Sequence, residues 1–227
     1  MSDIVEIVLA GERIKRLSDF AVENAVEKNK QKYSKEFASI DKSDLDRHIY
    51  EGGLKVWECS YDLSAHLEDI DLNGKKVLEL GCGAALPSIV ALKKGASKVV
   101  CQDYNESVIE LVTKPNLKLN ISDESKFEAI AKSWEDFSKE CTEKFDYILT
   151  SETIYDAGDY ASLHDSMKAA LKDDGIIILA AKVVYFGKTG DYFRFLDFIE
   201  AESYFEVIKS KQIEASVQRI IAYLKRK

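Results

Sequence analysis

The stretch K-V-L-E-L-G-C-G-A-A, residues 76–85, carries the strongest fold signal in this chain. Its first five residues form a short apolar run typical of a buried strand, and glycines follow at positions 81 and 83. The next apolar run, K-V-V-C-Q-D at 98–103, ends on Asp103, 20 residues after Gly83. A glycine turn that opens a helix, followed by a strand ending on a carboxylate, indicates a nucleoside-binding α/β protein.

Strand and helix patterns alternate along the rest of the chain. Helices are predicted at 86–94, 107–119, 160–171 and 191–204, and further strands at 127–131, 145–150 and 176–181. Two strand patterns close together, 205–213 and 217–224, predict a hairpin. We therefore expect a Rossmann-like, doubly wound α/β fold with a seven-stranded, mostly parallel sheet and an antiparallel C-terminal hairpin. Ligands bind such sheets at the carboxyl ends of the strands.

The N-terminal part differs in pattern from the rest. Residues 12–38 are highly charged, and Ile14, Leu17, Ala21 and Ala25 have the spacing of an amphipathic helix. Asp41 to Arg47 is predicted as a polar connection. We therefore divide the chain into an N-terminal helical extension, residues 1–47, and a domain, residues 48–227. The helix is expected to pack on the domain edge, with a partner-binding arm as the alternative.

Composition limits the function classes. The formal net charge of −8 disfavours a broad nucleic-acid-binding surface; an acidic surface can bind a basic protein or simply keep the chain soluble. No apolar run reaches the length of a membrane span, and the N-terminus lacks the basic start of a signal peptide. Four cysteines without a C-x-x-C and three histidines predict no metal site. We expect a monomer in the cytoplasm or nucleus.

The glycine loop points to one cofactor over another. A dinucleotide site uses a third glycine near the pyrophosphate, and here that position is Ala85. S-adenosylmethionine has no pyrophosphate, and its positive charges suit a nearby carboxylate such as Glu79. Asp103 is predicted to bind the ribose hydroxyls, with a helix cap as its alternative role and Asn105 as another capping candidate. Cys82 between the glycines is interpreted as a small filler.

Five motifs in order carry a resemblance to a known family. They are Y-E-G-G-L-K-V-W-E-C-S-Y-D-L (50–63), L-E-L-G-C-G-A-A-L-P (78–87), Q-D-Y-N-E-S-V-I (102–109), L-T-S-E-T-I-Y (149–155) and A-A-K-V-V-Y-F-G (180–187). The chain resembles the class I, seven-β-strand protein methyltransferases over about residues 48–227. Within them it is similar to the branch that methylates histidine in a large-subunit ribosomal protein.

The resemblance implies S-adenosylmethionine as cofactor and a protein substrate. It places Trp134 against the adenine, for which a core tryptophan is the alternative interpretation. The residues predicted around the cofactor are Trp57, Glu79, Gly81, Cys82, Gly83, Asp103, Asn105, Trp134 and Ser151.

The E-T-I-Y stretch matches the family's acidic-x-x-Tyr signature and supplies the catalytic candidates Glu152 and Tyr155. A neutral histidine can attack a methyl group if a carboxylate accepts the N–H of its other nitrogen, and Glu152 is the candidate. Tyr155 would line the channel or bind the acceptor. A helix-cap or cofactor contact for Glu152 and a packed aromatic for Tyr155 are the alternatives.

Three other functions remain open at this point. The first is a lysine or small-molecule methyltransferase of the same fold. The second is a catalytically idle adaptor with a methyltransferase fold, against which the intact Gly81, Gly83, Asp103 and Glu152 argue. An NAD-dependent dehydrogenase is the weakest, because the loop lacks the third glycine.

Overall fold

The structure, a computed structural model, describes residues 2–38 and 49–227. Its strands are β1 (Ile4–Leu9), β2 (Glu12–Leu17), β3 (Lys76–Leu80), β4 (Lys98–Asp103), β5 (Phe127–Ala131), β6 (Phe145–Ser151), β7 (Leu171–Lys182), β8 (Phe205–Ile213) and β9 (Arg219–Arg226). Its α-helices are α1 (Asp19–Lys28), α2 (Ser34–Phe37), α3 (Glu58–His66), α4 (Leu86–Lys93), α5 (Glu106–Val108), α6 (Lys114–Asn120), α7 (Trp134–Glu140), α8 (Tyr160–Ala170) and α9 (Tyr192–Glu202).

Among the described residues, seven strands form one sheet in the order β5-β4-β3-β6-β7-β9-β8. The first five are parallel, β9 is antiparallel to β7, and β8 is antiparallel to β9. The predicted fold class and C-terminal hairpin are therefore confirmed. The last strand, β9, lies inside the sheet because its I-I-A-Y-L run is buried, whereas β8 carries K-S-K-Q exposed at the edge.

Helices cover both faces of the sheet, as a doubly wound fold requires. One core joins the strand side chains on one face of the sheet, such as Val77 and Leu149, to α3, α4 and α6. The other joins Leu78 and Ile148 to α7, α8 and α9. Strand order reverses between β3 and β6, so a crevice opens where these two strands end.

The helix predicted over residues 12–38 is wrong at its start. Residues 12–17 are β2, paired antiparallel with β1, and the helix α1 begins only at Asp19. Ala10 and Gly11 both have positive φ, +50° and +74°, and two such residues form the tight turn that favours a hairpin. The spacing of Ile14 and Leu17 fits a helix, but it occurs here within an alternating strand.

The N-terminal elements pack into the domain core. Ile14 and Val22 are buried in the same cluster as residues of α3 and α4. The Asn116 side chain of α6 accepts the Leu17 N–H at 2.8 Å. The predicted connection 41–47 and the boundary between residues 47 and 48 lie outside the described residues. No helix in the described part of the chain is long and apolar enough to cross a membrane.

Candidate active site

A cavity of about 670 Å³ lies at the carboxyl ends of β3, β4, β6 and β7. This volume is in the range of small-molecule and cofactor sites. Nine of the eleven predicted site residues line it: Trp57, Gly81, Cys82, Gly83, Asp103, Trp134, Ser151, Glu152 and Tyr155. Glu79 and Asn105 do not. Predicted residues from four of the five motifs, together with Trp134, therefore meet at one place, whereas Glu79 and Asn105 lie outside it.

The glycine loop after β3 is held tightly on several sides. Gly81 and Gly83 have φ of +65° and +47°, which glycine adopts without strain. A Cβ on Gly81 would lie 2.7 Å from the Thr153 side chain. The Gly83 N–H donates to Asp103 Oδ2 at 2.8 Å, and the Thr113 hydroxyl donates to the Gly83 carbonyl at 2.6 Å. The loop is therefore shaped before any ligand binds.

Asp103 ends β4 with its carboxylate buried and facing the cavity. Burial raises its pKa to about 6, against the hydrogen bonds that it accepts from backbone N–H groups of Gly83, Asn105 and Tyr104. Ionised Asp103 at neutral pH can accept further hydrogen bonds from a ligand, as ribose hydroxyls supply. Its position agrees with the ribose-binding prediction. The backbone contacts also match part of the capping alternative.

Glu79 is turned away from the cavity, against the start of α4. Its Oε2 accepts hydrogen bonds from the backbone N–H (3.0 Å) and the hydroxyl of Ser88. Burial raises its pKa to about 8, so the carboxyl is mostly protonated at neutral pH. A neutral carboxyl outside the cavity wall is poorly suited to the predicted contact with a positive sulfonium.

Asn105 supports the site from outside. Its side-chain oxygen accepts the Glu51 N–H at 3.0 Å, and its amide donates to the Ile49 carbonyl at 2.8 Å. It therefore fixes the Y-E-G-G segment, whose Gly53 carbonyl would lie 3.3 Å from a Cβ on Gly83. Its place at the start of α5 agrees with the capping prediction, but its side chain makes no capping bond.

Trp134 lies at the start of α7 with its ring at the cavity wall. Its indole N–H donates to Gln102 Oε1 at 2.9 Å, so that donor is already used within the protein. Gln102 Oε1 also receives the Gly81 N–H at 3.3 Å. Gln102 lines the cavity and was not predicted. The sequence feature that could have identified Gln102 was a polar residue directly before Asp103 in an otherwise apolar strand.

Glu152 follows β6 and projects into the other half of the cavity. Its φ of +60° is uncommon for a residue with a side chain, and such strain is concentrated at functional sites. Its Oε1 accepts the Cys59 N–H at the start of α3, at 3.3 Å. The helix-end contact and the cavity position are thus both present. The positive end of the helix dipole favours a negative carboxylate there.

Lys182, the last residue of β7, lies beside Glu152 and was not given a role by the sequence. Its Nζ is 3.6 Å from Glu152 Oε1, 3.0 Å from Glu58 Oε2 and 5.1 Å from the Trp57 ring centre. The Trp57 N–H donates to the Gly52 carbonyl at 3.0 Å, which holds the ring. The sequence feature that could have identified Lys182 was its position as a lysine at the end of the most apolar strand.

Tyr155 donates its phenol O–H to the carboxylate of Glu51, and its ring meets Tyr185 edge-on at 6.4 Å. Burial and the charge of Glu51 raise the pKa of Tyr155, so the phenol stays neutral. Glu51 lines the cavity and was also missed, although it lies in a quoted motif. Residues 2–38 and 49–227 contain no cluster of three or more metal-binding side chains.

Several solved structures with the same fold are named as methyltransferases or methylases. A ribosomal protein L11 methylase from Lactobacillus delbrueckii aligns with a TM-score of 0.56 and 17% identity, over 76% of this chain and 80% of that one. A magnesium protoporphyrin IX methyltransferase from Synechocystis, solved with bound SAH, aligns with a TM-score of 0.58 and 14% identity, over 74% and 81%. The fold is therefore that of class I methyltransferases.

Residues 42–200 match the family model described as lysine methyltransferase, and the chain belongs to that family. Histidine protein methyltransferase 1 homologs are similar in sequence. That of Bos taurus is 38% identical over 83% of this chain and 58% of its own length, and that of Dictyostelium discoideum is 43% identical over 71% and 53%. The chain spans a little more than half the length of these relatives.

Proposed function

We propose that the protein transfers a methyl group from S-adenosylmethionine to a ring nitrogen of histidine in a protein substrate. The observation that carries this proposal is Glu152, a carboxylate held in the same cavity as the glycine loop and Asp103. The similarity to histidine protein methyltransferase 1 homologs supports the choice of histidine.

The residues present fit the cofactor. Asp103 would bind the ribose, the tight turn at Gly81 and Gly83 would admit the ligand close to the backbone, and the Trp134 ring would pack against the adenine. S-adenosylmethionine, when bound, supplies a methyl group on a positive sulfur. The remaining part of the cavity, near Glu152 and Lys182, would receive the acceptor.

The acceptor's protonation state favours histidine. A lysine must lose a proton first, which at pH 7 costs about 4.6 kcal/mol. An imidazole with a pKa near 6.5 is already mostly neutral. Glu152 would accept the N–H of the nitrogen that does not react, set the tautomer, and take the proton as the ring becomes positive. Tyr155 and Glu51 would shape the wall opposite it.

Lysine methylation is the second candidate, and the description of the matching family model favours it. We further propose a large-subunit ribosomal protein as the substrate, since the motifs resemble that branch and the net charge of −8 suits a basic partner. A monomer working in the cytoplasm or nucleus completes the proposal. Gel filtration and cell fractionation test these two points.

The function is tested by incubating the protein with methyl-labelled S-adenosylmethionine and ribosomal proteins from cells that lack the enzyme. The labelled proteins are hydrolysed, and the amino acids are separated. We expect label in methylhistidine. Label in methyl-lysine would support the second candidate. The absence of label in any amino acid, together with no binding of S-adenosylmethionine, would indicate the idle adaptor.

A further inference from the structure

Lys182 is held from three directions at the wall of the acceptor half of the cavity. Glu58 Oε2 lies 3.0 Å from its Nζ, Glu152 Oε1 3.6 Å, and the Trp57 ring centre 5.1 Å. The side chains of Lys182 and Glu152 are 17% and 7% exposed, whereas that of Glu58 is 58% exposed. Lys182 thus links a buried carboxylate to a solvated one.

The other groups around Glu152 supply no positive charge. The Cys59 backbone donates one N–H to it. The Cys59 thiol and the Tyr185 phenol stay neutral, because burial, followed by the charge of Glu152, raises the pKa of each. Among the residues that the structure describes, Lys182 is the only ion-pair partner of Glu152.

A buried carboxylate is charged at neutral pH only if its surroundings compensate the lost hydration. The N–H at the start of α3 compensates part of it, and the ammonium of Lys182 supplies the opposite charge. Glu58 and Trp57 keep the ammonium in place from the other side. The arrangement therefore fixes the direction of the Glu152 side chain.

We propose that Lys182 is a positioning residue for methyl transfer, which holds the Glu152 carboxylate in the direction of the acceptor imidazole. This inference rests on the proposed function, in which Glu152 accepts the imidazole N–H. A purely structural ion pair between β7 and α3 is the competing explanation. The two differ in a double variant, because only a role through Glu152 makes the effect of Lys182→Met small once Glu152 is already Gln.

The strand β7 provides its own control. Lys172, ten positions earlier, lies 2.7 Å from Asp146 Oδ1 at the opposite end of the strand, away from the cavity. Lys172→Met therefore removes a lysine ion pair from the same strand without touching the site. Lys182→Met removes the charge near Glu152, and Lys182→Arg retains it.

The experiment measures kcat at pH 7 with saturating cofactor and saturating histidine substrate. For Lys182→Met we expect kcat to fall at least about 30-fold, within the range of general-base effects. In the Glu152→Gln background the same change should lower kcat less than about threefold, because the residue it acts through is already disabled. Lys182→Arg should restore the turnover, and Lys172→Met should match the wild type. Cofactor Kd should change less than about threefold throughout, because the ribose contact is elsewhere.

A loss of kcat in the Glu152→Gln background as large as in the wild-type background, or a loss that Lys182→Arg does not rescue, would overturn the positioning role. If circular dichroism shows that Lys182→Met is unfolded, Lys182→Gln is measured in its place under the same criteria. A wild-type protein that forms no methylhistidine would overturn the proposed function itself. Methylhistidine from the wild type with unchanged turnover in Lys182→Met would overturn the role of Lys182 alone.

Discussion

Replacing Asp103 with Asn should weaken binding of the cofactor more than any other single change at the glycine loop. The change keeps the side chain's shape but removes its charge and one acceptor oxygen. Oδ2 receives the Gly83 N–H at 2.8 Å, and the Asn oxygen can keep that bond only if its amide turns toward the cavity. An amide N–H would then face the ribose hydroxyls in place of a charged acceptor oxygen.

The expected loss follows from the bonds concerned. Hydrogen bonds to a charged group contribute about 1.5–3 kcal/mol each, so weakening two should cost about 3 kcal/mol. This corresponds to a Kd about 100-fold higher. The pKa of Asp103, about 6, adds a pH dependence. Because the ionised carboxylate is the better acceptor, wild-type affinity should be full above pH 6 and fall as pH is lowered through that value.

Isothermal titration calorimetry with S-adenosylmethionine, from pH 5 to 8, measures both effects. Asp103→Asn should lose the affinity and also the step near pH 6. Asp173→Asn is the control, since Asp173 is exposed and pairs with Arg226 far from the cavity. An Asp103→Asn protein that is folded by circular dichroism and binds within threefold of wild type would refute the ribose-binding role of Asp103.

Three further substitutions test other parts of the site. Glu152→Gln should lower kcat by about 10²–10⁴ with little change in cofactor Kd; equal turnover would remove the residue from the mechanism. Glu79→Gln should change the Kd less than about threefold at pH 7, because the carboxyl is already mostly neutral; a large loss in calorimetry would instead support the sulfonium contact. Gly81→Ala should lower the free energy of unfolding by about 1 kcal/mol or more beyond the loss in Gly187→Ala. Both glycines have positive φ, but only a Cβ at position 81 would contact Thr153. Equal thermal midpoints for the two would show that this contact relaxes freely.

The sheet was predictable because its signals are local. Parallel strands buried on both faces appear as continuous apolar runs, and the predicted strands at 76–80 and 98–103 agree with β3 and β4 residue for residue. The last hairpin was visible from two strand patterns close in sequence. The order of the hairpin strands was not predicted; the structure places the charged β8 at the edge and the apolar β9 inside.

The N-terminal hairpin shows where local reasoning failed. A three-residue spacing between apolar positions occurs in helices, but Ile14 and Leu17 also belong to a strand whose partner, β1, precedes it across the turn at Ala10 and Gly11. The turn residues carried only half of the usual signal: Gly11 is common in such a turn, but Ala at a positive-φ position, as at Ala10, is not.

The site residues also divide into those that local sequence identifies and those that only distant contacts place. Gly81, Gly83 and Asp103 follow strands at fixed spacing, so local sequence identifies them. Glu51 and Lys182 reach the cavity through contacts with residues about 104 and 30 positions away in the chain, Tyr155 and Glu152. Pairings at such separation follow from the folded sheet and from burial, which the sequence pattern alone does not order.

The most direct test of the central claim is identification of the methylated amino acid. The wild-type protein is incubated with methyl-labelled S-adenosylmethionine and a ribosomal-protein fraction from cells that lack the enzyme, and the hydrolysate is chromatographed beside authentic standards. Glu152→Gln is run in parallel. Methylhistidine from the wild type, with a large decrease in the variant, is the predicted result. Methyl-lysine as the labelled product, or equal methylhistidine from both proteins, would contradict a histidine methyltransferase that works through Glu152.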